Sequence, residues 1–168
     1  MLKIKMYVIL MLTFCAACNN PNSVPANTAK DSAQKGTPPP SSSTKNIIFF
    51  GNSLTAGYGL DLSEAYPALI QAKIDSLKLP YKVINAGLSG ETTAGGKSRI
   101  DWILKQPVHV FVLELGGNDG LRGIPLEETE KNLQQILDKV KEKYPAVKLM
   151  LTGMRVPPNM GKQYSENF

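Results

Sequence analysis

The sequence is poor in residues that form disulfides or bind transition metals, with two cysteines and one histidine among 168 residues. Both cysteines, Cys15 and Cys18, lie close to the amino terminus, so disulfides cannot staple the rest of the chain. No apolar run approaches the roughly 20 residues that a membrane-spanning helix needs. Aromatic residues make up only 7% of the chain. The sequence contains no basic stripe interleaved with aromatic residues, the pattern that would indicate a nucleic-acid partner.

The net charge of +5 is concentrated at the amino terminus. Residues 46–168 contain 14 basic and 13 acidic side chains, so this part is nearly neutral. Its length and an overall hydrophobic fraction of 42% are typical of one ordinary globular domain.

The first 18 residues have the pattern of an export signal. Lys3 and Lys5 precede a short apolar run at 7–12, and small residues follow. The Ala-Ala-Cys at 16–18 resembles the end of a bacterial lipobox, so we predict a lipoprotein signal peptide over 1–18 and lipidation of Cys18. An ordinary signal peptide with incidental cysteines is the alternative. The lipoprotein interpretation predicts an exported cell-envelope protein that an amino-terminal lipid anchor holds at a membrane.

Residues 19–45 are rich in Pro, Ser, Asn, Thr, Ala and Lys. A segment of this composition buries too little apolar surface to offset its chain entropy, so we predict a disordered tether. The predicted folded domain is 46–168.

Apolar runs and helical periodicity alternate along this domain. The patterns predict strands at 47–50, 81–86, 107–115 and 147–152, and helices at 64–77, 94–104 and 126–143, the first of them capped by Ser63. Alternating strands and helices favour a parallel sheet covered by helices on both faces.

Three of the predicted strands run into loops of small residues. Ser53 follows the first strand, Gly90 the second and Asn118 the third. The carboxyl ends of parallel strands meet at one edge, where ligands bind in open α/β sheets. Ser53 is therefore a candidate nucleophile, with its own amide, the Gly90 amide and the Asn118 side chain as donors for an oxyanion. The alternative is a plain turn with a surface serine.

The loop sequences GNSLTAGYG at 51–59, NAGLSGET at 85–92 and GGNDGLRG at 116–123 together resemble the SGNH hydrolase superfamily, also called GDSL esterases. They are most similar to its bacterial arylesterases, lysophospholipases and thioesterases. The resemblance implies a flavodoxin-like three-layer α/β/α sandwich that hydrolyses small acyl esters, lysophospholipids or thioesters. It implies that Ser53 is the nucleophile, that Gly90 and Asn118 complete the oxyanion hole, and that no metal or cofactor takes part.

The sequence departs from the family pattern at two places. Asn52 stands where the family usually has Asp, and we expect this to change local hydrogen bonding. The family's catalytic Asp-x-x-His block is absent, so we expect a chain that lacks the last strand and helix, has an exposed sheet edge and is weakly active alone. A non-catalytic binding module that retains the cleft is the alternative. The single histidine, His109, is expected to be structural because it lies far upstream of the strand's active end.

Three further residues have expected roles. Asp119 is expected to order its loop. Glu114, in an apolar strand, is expected to pair with Arg99 or Arg122. Arg155 is expected either to line the acyl pocket or to form a structural ion pair.

Overall fold

The computed structural model describes residues 44–168. The predicted signal peptide, Cys18 and nearly all of the predicted tether lie outside the described residues. Lys45, the last residue of the predicted tether, is in fact the first residue of a strand.

Strands and helices alternate along the described chain. Their bounds, in chain order, are β1 Lys45–Gly51, α1 Ser53–Ala56, α2 Tyr66–Ser76, β2 Tyr81–Gly87, α3 Thr93–Ile103, β3 Val110–Glu114, α4 Gly117–Leu121, α5 Leu126–Lys143, β4 Lys148–Leu151, a 3₁₀ turn Pro158–Met160 and α6 Lys162–Asn167. The predicted long helix matches α5 at both ends, and no helix within residues 44–168 is long and apolar enough to cross a membrane.

The four strands form one parallel sheet in the order β2-β1-β3-β4. This is the order of the first four strands of a flavodoxin-like sheet. The prediction of a parallel α/β fold is therefore confirmed.

The core lies on both faces of β1 because successive side chains of a strand point to opposite faces. Ile48 and Phe50, both fully buried, belong to a cluster that includes Ile100 of α3 and Ile136 of α5. Phe49 points the other way and packs edge-on against Tyr66 of α2, with ring centroids 5.4 Å apart. Because the run at 47–50 is apolar on both faces of the strand, both faces of the sheet are covered by helices.

Two sequence-based details differ from the structure, and one expected feature, an exposed sheet edge, is present. Ser63 does not cap α2, because a turn closed by a Glu64 N–H bond to the Asp61 carbonyl occupies that stretch and the helix begins at Tyr66. The ladder of β3 begins only at Val110, three residues later than predicted. β4 lies at the edge of the described sheet, and its apolar residues at 149–151 are 39 to 56% exposed. We still expect this edge to lower solubility.

Candidate active site

Ser53 is the first residue of the short helix α1, immediately after β1. Asn52 caps this helix, since its Oδ1 accepts a hydrogen bond of 2.9 Å from the Leu54 N–H. Gly51, the last residue of β1, is in register with Gly87 of β2 and Glu114 of β3. Three strands therefore end together, and the expected convergence of their loops is observed.

A cleft of about 300 Å³ opens beside Ser53. Its lining combines the Ser53 turn, α4 and the segment after β4: Asn52, Ser53, Leu54, Gly117, Asn118, Leu121, Met154, Arg155, Val156 and Pro157. Ser53 and Asn118 thus line the same cavity. Arg155 also lines it, which agrees with the first of its two expected roles, a position in the wall of the substrate pocket. Gly90 does not line this cavity. It lies on the neighbouring exposed loop with a φ of 79°, a left-handed conformation that favours glycine.

Two hydrogen bonds tie the Gly90 loop to α4 and to Arg122, the residue that caps its carboxyl end. The Asn118 Nδ2 donates to the Glu91 carbonyl at 2.8 Å, and Arg122 donates to the Gly90 carbonyl at 3.1 Å. A primary amide carries two N–H groups, so Asn118 keeps a second donor for a substrate. The two candidate oxyanion donors are therefore mechanically linked.

Asp119 reinforces this link from the buried side. Its carboxylate accepts the Thr93 N–H at 2.9 Å and the Thr93 hydroxyl at 2.5 Å, and it is completely buried. The expectation that Asp119 orders its loop is confirmed.

An ion pair between the buried Glu91 and the partly buried Arg99 holds the Gly90 loop against α3. The Arg99 guanidinium donates to both Glu91 carboxylate oxygens at 2.5 Å and to the Ala86 carbonyl at 2.7 Å. It also lies over the Phe50 ring, 4.2 Å from the centroid. The expected pairing of Glu114 with Arg99 or Arg122 is therefore wrong, because Arg99 is engaged by Glu91 and Arg122 reaches Gly90.

Glu114 instead supports the Ser53 turn. Its Oε1 accepts from Asn52 Nδ2 at 2.8 Å, and its Oε2 accepts from the Asn52 N–H at 3.3 Å and from the Thr55 hydroxyl at 2.7 Å. Gly51 makes room for this arrangement, since a Cβ there would collide with Thr55 Oγ1 and lie 2.6 Å from Glu114 Oε2. Asn52 and Glu114 are both at least 95% buried.

This network extends to α2. The Thr55 hydroxyl donates its one proton to Glu114. The Tyr66 hydroxyl is therefore the donor in its hydrogen bond of 2.7 Å to Thr55 Oγ1. Burial raises the pKa of Tyr66, and the Glu114 charge raises it further. Sequence reasoning missed this network, although a lone acid at the end of an apolar strand and the unusual Asn52 were signals of it.

His109 lies just before β3, at the amino-terminal ends of the parallel strands, whereas Ser53 lies at their carboxyl ends. Its Nδ1 accepts the Asn46 N–H at 2.9 Å, near the start of β1. Ser53 follows Asn46 by seven positions, most of them in β1, which separates the two residues by roughly 20 Å. The expectation of a structural histidine is confirmed. In the part of the chain that the structure describes, no group of three or more His, Cys, Asp or Glu side chains could hold a metal ion.

The parallel sheet, with three converging loops at its carboxyl edge, defines an α/β protein of the SGNH hydrolase fold. The chain belongs to the GDSL-like Lipase/Acylhydrolase family, whose profile matches residues 49–167.

Characterised relatives have esterase and related names. Esterase TesA of Pseudomonas aeruginosa is 37% identical over 74% of this chain and 61% of its own length. Thioesterase 1/protease 1/lysophospholipase L1 of Escherichia coli is 42% identical over 73% of this chain and 57% of its own length. The chain thus spans about three fifths of the length of these curated relatives.

A crystal structure gives the same fold. AlinE4, an SGNH-hydrolase family esterase, superimposes with a TM-score of 0.69 at 41% identity. The match covers 74% of this chain and 67% of AlinE4.

Proposed function

We propose that the protein is a serine esterase that hydrolyses small acyl esters, lysophospholipids or thioesters through an acyl-enzyme on Ser53. The observation that carries the proposal is the position of Ser53 at the start of α1, beside a cleft that Asn118 also lines. The names of the relatives support this substrate class. Lipidation of Cys18 and attachment to the cell envelope are part of the same proposal.

The donors around Ser53 suit the charge that develops during acyl transfer. When the Ser53 hydroxyl attacks the carbonyl carbon, the carbonyl oxygen becomes an oxyanion. The Ser53 and Gly90 amides and the second Asn118 N–H would stabilise it. Removal of one such donor typically lowers kcat by about 10²- to 10³-fold.

The proton of Ser53 needs a base, and His109 lies at the wrong edge of the sheet. We propose that the base belongs to a part of the protein outside these 168 residues. Without that base, the 168-residue chain should hydrolyse esters only slowly, by attack of the Ser53 hydroxyl that the oxyanion donors assist but no base activates.

Hydrolysis of p-nitrophenyl acetate by the full chain, compared with Ser53→Ala, tests the proposal. We expect slow turnover that disappears in Ser53→Ala and is unchanged in His109→Gln. Turnover that survives Ser53→Ala would refute the nucleophile, and its loss in a His109→Gln chain that is still folded by circular dichroism would give His109 a role in catalysis. Ester binding without any Ser53-dependent turnover would instead favour a non-catalytic binding module.

A further inference from the structure

β2 forms one edge of the described sheet, and its contacts with β1 show which of its backbone groups face outward. Just before the strand, the Pro80 carbonyl accepts a hydrogen bond of 2.9 Å from the Lys45 N–H. Just after it, the Leu88 N–H donates to the Gly51 carbonyl at 2.9 Å. Residues with even numbers therefore direct their N–H and C=O groups towards β1. Because this direction alternates along a strand, residues 81, 83, 85 and 87 direct theirs away from the sheet.

Three of these four outward N–H groups have an acceptor from the chain itself. The Tyr81 N–H donates to a carbonyl of the preceding turn at 2.8 Å, and the Gly87 N–H donates to Asn85 Oδ1 at 2.9 Å. Between them, the Val83 N–H donates to Gln71 Oε1 at 2.5 Å. An outward row of unpaired backbone groups is a template for another strand, so most of this template is already occupied.

The Gln71 side chain makes the contacts that one residue of a parallel neighbour strand would make. In a parallel ladder, a residue accepts an N–H from the adjacent strand and donates its own N–H to the carbonyl two positions earlier on that strand. Gln71 follows this pattern, since Oε1 accepts from the Val83 N–H and Nε2 donates, across a longer 3.4 Å, to the Tyr81 carbonyl. Nε2 also donates to Asp75 Oδ1 at 2.7 Å, which holds the amide in place from the next turn of α2.

A groove of about 500 Å³ lies between α2 and this edge. Gln71 and Asp75 line it from α2, and Val83 and Asn85 line it from β2. Space for a further chain therefore exists beside the edge, while the Gln71 amide occupies the hydrogen-bonding groups at its centre. We propose that Gln71 is an autoinhibitory contact that keeps a second copy of this chain from pairing with β2. This contact acts independently of ester hydrolysis, so its test requires no turnover.

Two copies of β2 are suited to antiparallel pairing about Val83. The backbone groups of Val83 face outward, so each copy would exchange two hydrogen bonds with the same residue of its counterpart. The exposed Lys82 would then lie opposite Ile84 of the second copy, so that like charges do not meet directly. Gln71 prevents this arrangement because its amide holds the Val83 N–H that the counterpart needs.

Amide hydrogen exchange of the full-length chain, followed by NMR, tests the Gln71 contact. Gln71→Ala removes the acceptor of the Val83 N–H, so this amide should exchange about tenfold faster. The Ile84 N–H faces β1 and should keep its rate. Gln134→Ala is the matched control, because its amide makes the same bond of 2.7 Å to the aspartate one turn later in α5 that Gln71 makes in α2. This control should leave the exchange of Val83 unchanged.

Sedimentation velocity over a concentration series tests whether the contact blocks pairing. Gln71→Ala should associate at about tenfold lower concentration than the native chain, because two Gln71 contacts no longer have to be displaced in the pair. Exchange of the Val83 N–H should slow again as the complex forms. Gln71→Lys also frees the Val83 N–H, but lysine at an edge opposes strand pairing, so we expect fast exchange without added association. All of these chains share the exposed β4 edge, so their differences report on β2.

Three results would overturn the proposal. Unchanged exchange of the Val83 N–H in Gln71→Ala would show that Gln71 does not hold the edge. Association of Gln71→Ala no stronger than that of the native chain would show that Gln71 does not block pairing. Association in which Val83 still exchanges fast would place the contact on another surface. Circular dichroism verifies that each variant is folded, and no readout involves Ser53, so failure of the esterase proposal would leave them unaffected.

Discussion

Exchange of Asn52 for aspartate should couple the stability of this protein to pH. The Asn52 Nδ2 donates to Glu114 Oε1 at 2.8 Å inside a buried site. Asn52→Asp replaces this donor with a carboxylate oxygen and brings two acids into contact. Two unit charges 4 Å apart repel by about 4 kcal/mol at an effective dielectric constant of 20.

The direction of the pH effect follows from proton binding. Burial and the Glu114 charge raise the pKa of the introduced Asp above its unfolded value of about 4. The folded variant then binds more protons than the unfolded chain, so its stability falls as pH rises through the folded pKa of the pair. We expect Asn52→Asp to lose about 3–4 kcal/mol at pH 8 and much less at pH 5, where the acids share a proton.

Urea denaturation at both pH values, followed by circular dichroism, measures this loss. The double variant Asn52→Asp/Glu114→Gln is the matched control, because the amide is then supplied from the other side and one charge is removed. We expect it to recover most of the lost stability at pH 8. Equal destabilisation of Asn52→Asp at both pH values, without rescue by Glu114→Gln, would refute the reasoning.

Two further predictions concern the support of the Gly90 loop and of α3. Arg99→Gln leaves Glu91, which is 6% exposed, without its ion pair and should lower the free energy of unfolding in urea by about 2–4 kcal/mol. A double-mutant cycle with Glu91→Gln should show strong non-additivity. Simple additivity of the two substitutions would contradict the pairing. Gly96→Ala would place a Cβ 2.5 Å from Leu115 Cδ1 and 3.1 Å from Phe50 Cε1. This overpacking should lower the free energy of unfolding by about 1–3 kcal/mol and therefore lower Tm. Gly95→Ala, at an exposed position of the same helix, should be nearly neutral, and equal effects of the two changes would show that packing does not decide them.

The sequence allowed prediction of the fold where local patterns carry the information. The run at 47–50 fits a strand buried on both faces, and the stripe of α5 fixes that helix between Leu126 and Lys143. The strand order β2-β1-β3-β4 matches the flavodoxin-like sheet that the family resemblance implied, and the parallel strands bring the loops of Ser53, Gly90 and Asn118 to one edge.

Side-chain partners could not be predicted in the same way. Charge alone offered Arg99 or Arg122 to Glu114, but register places Glu114 opposite Gly51, beside Asn52 and Thr55. Which polar groups meet inside a site depends on angles and distances that no periodicity encodes. The capping role assigned to Ser63 failed for a related reason, because a local turn competes with helix initiation there.

Two hydrogen-bond networks hold the loops of the candidate site in place, and neither of them contains a group that could take the proton of Ser53 as a histidine would. Glu114 holds the Ser53 turn through Asn52 and Thr55, while Glu91 and Arg99 hold the neighbouring donor loop. Neither network includes a histidine. The Ser53 turn and the loop of the candidate donor Gly90 are therefore held in place by hydrogen bonds that need no histidine. If this is correct, Ser53→Ala should bind a non-hydrolysable ester analogue as tightly as the unsubstituted chain, since the cleft keeps its walls when only the hydroxyl is removed.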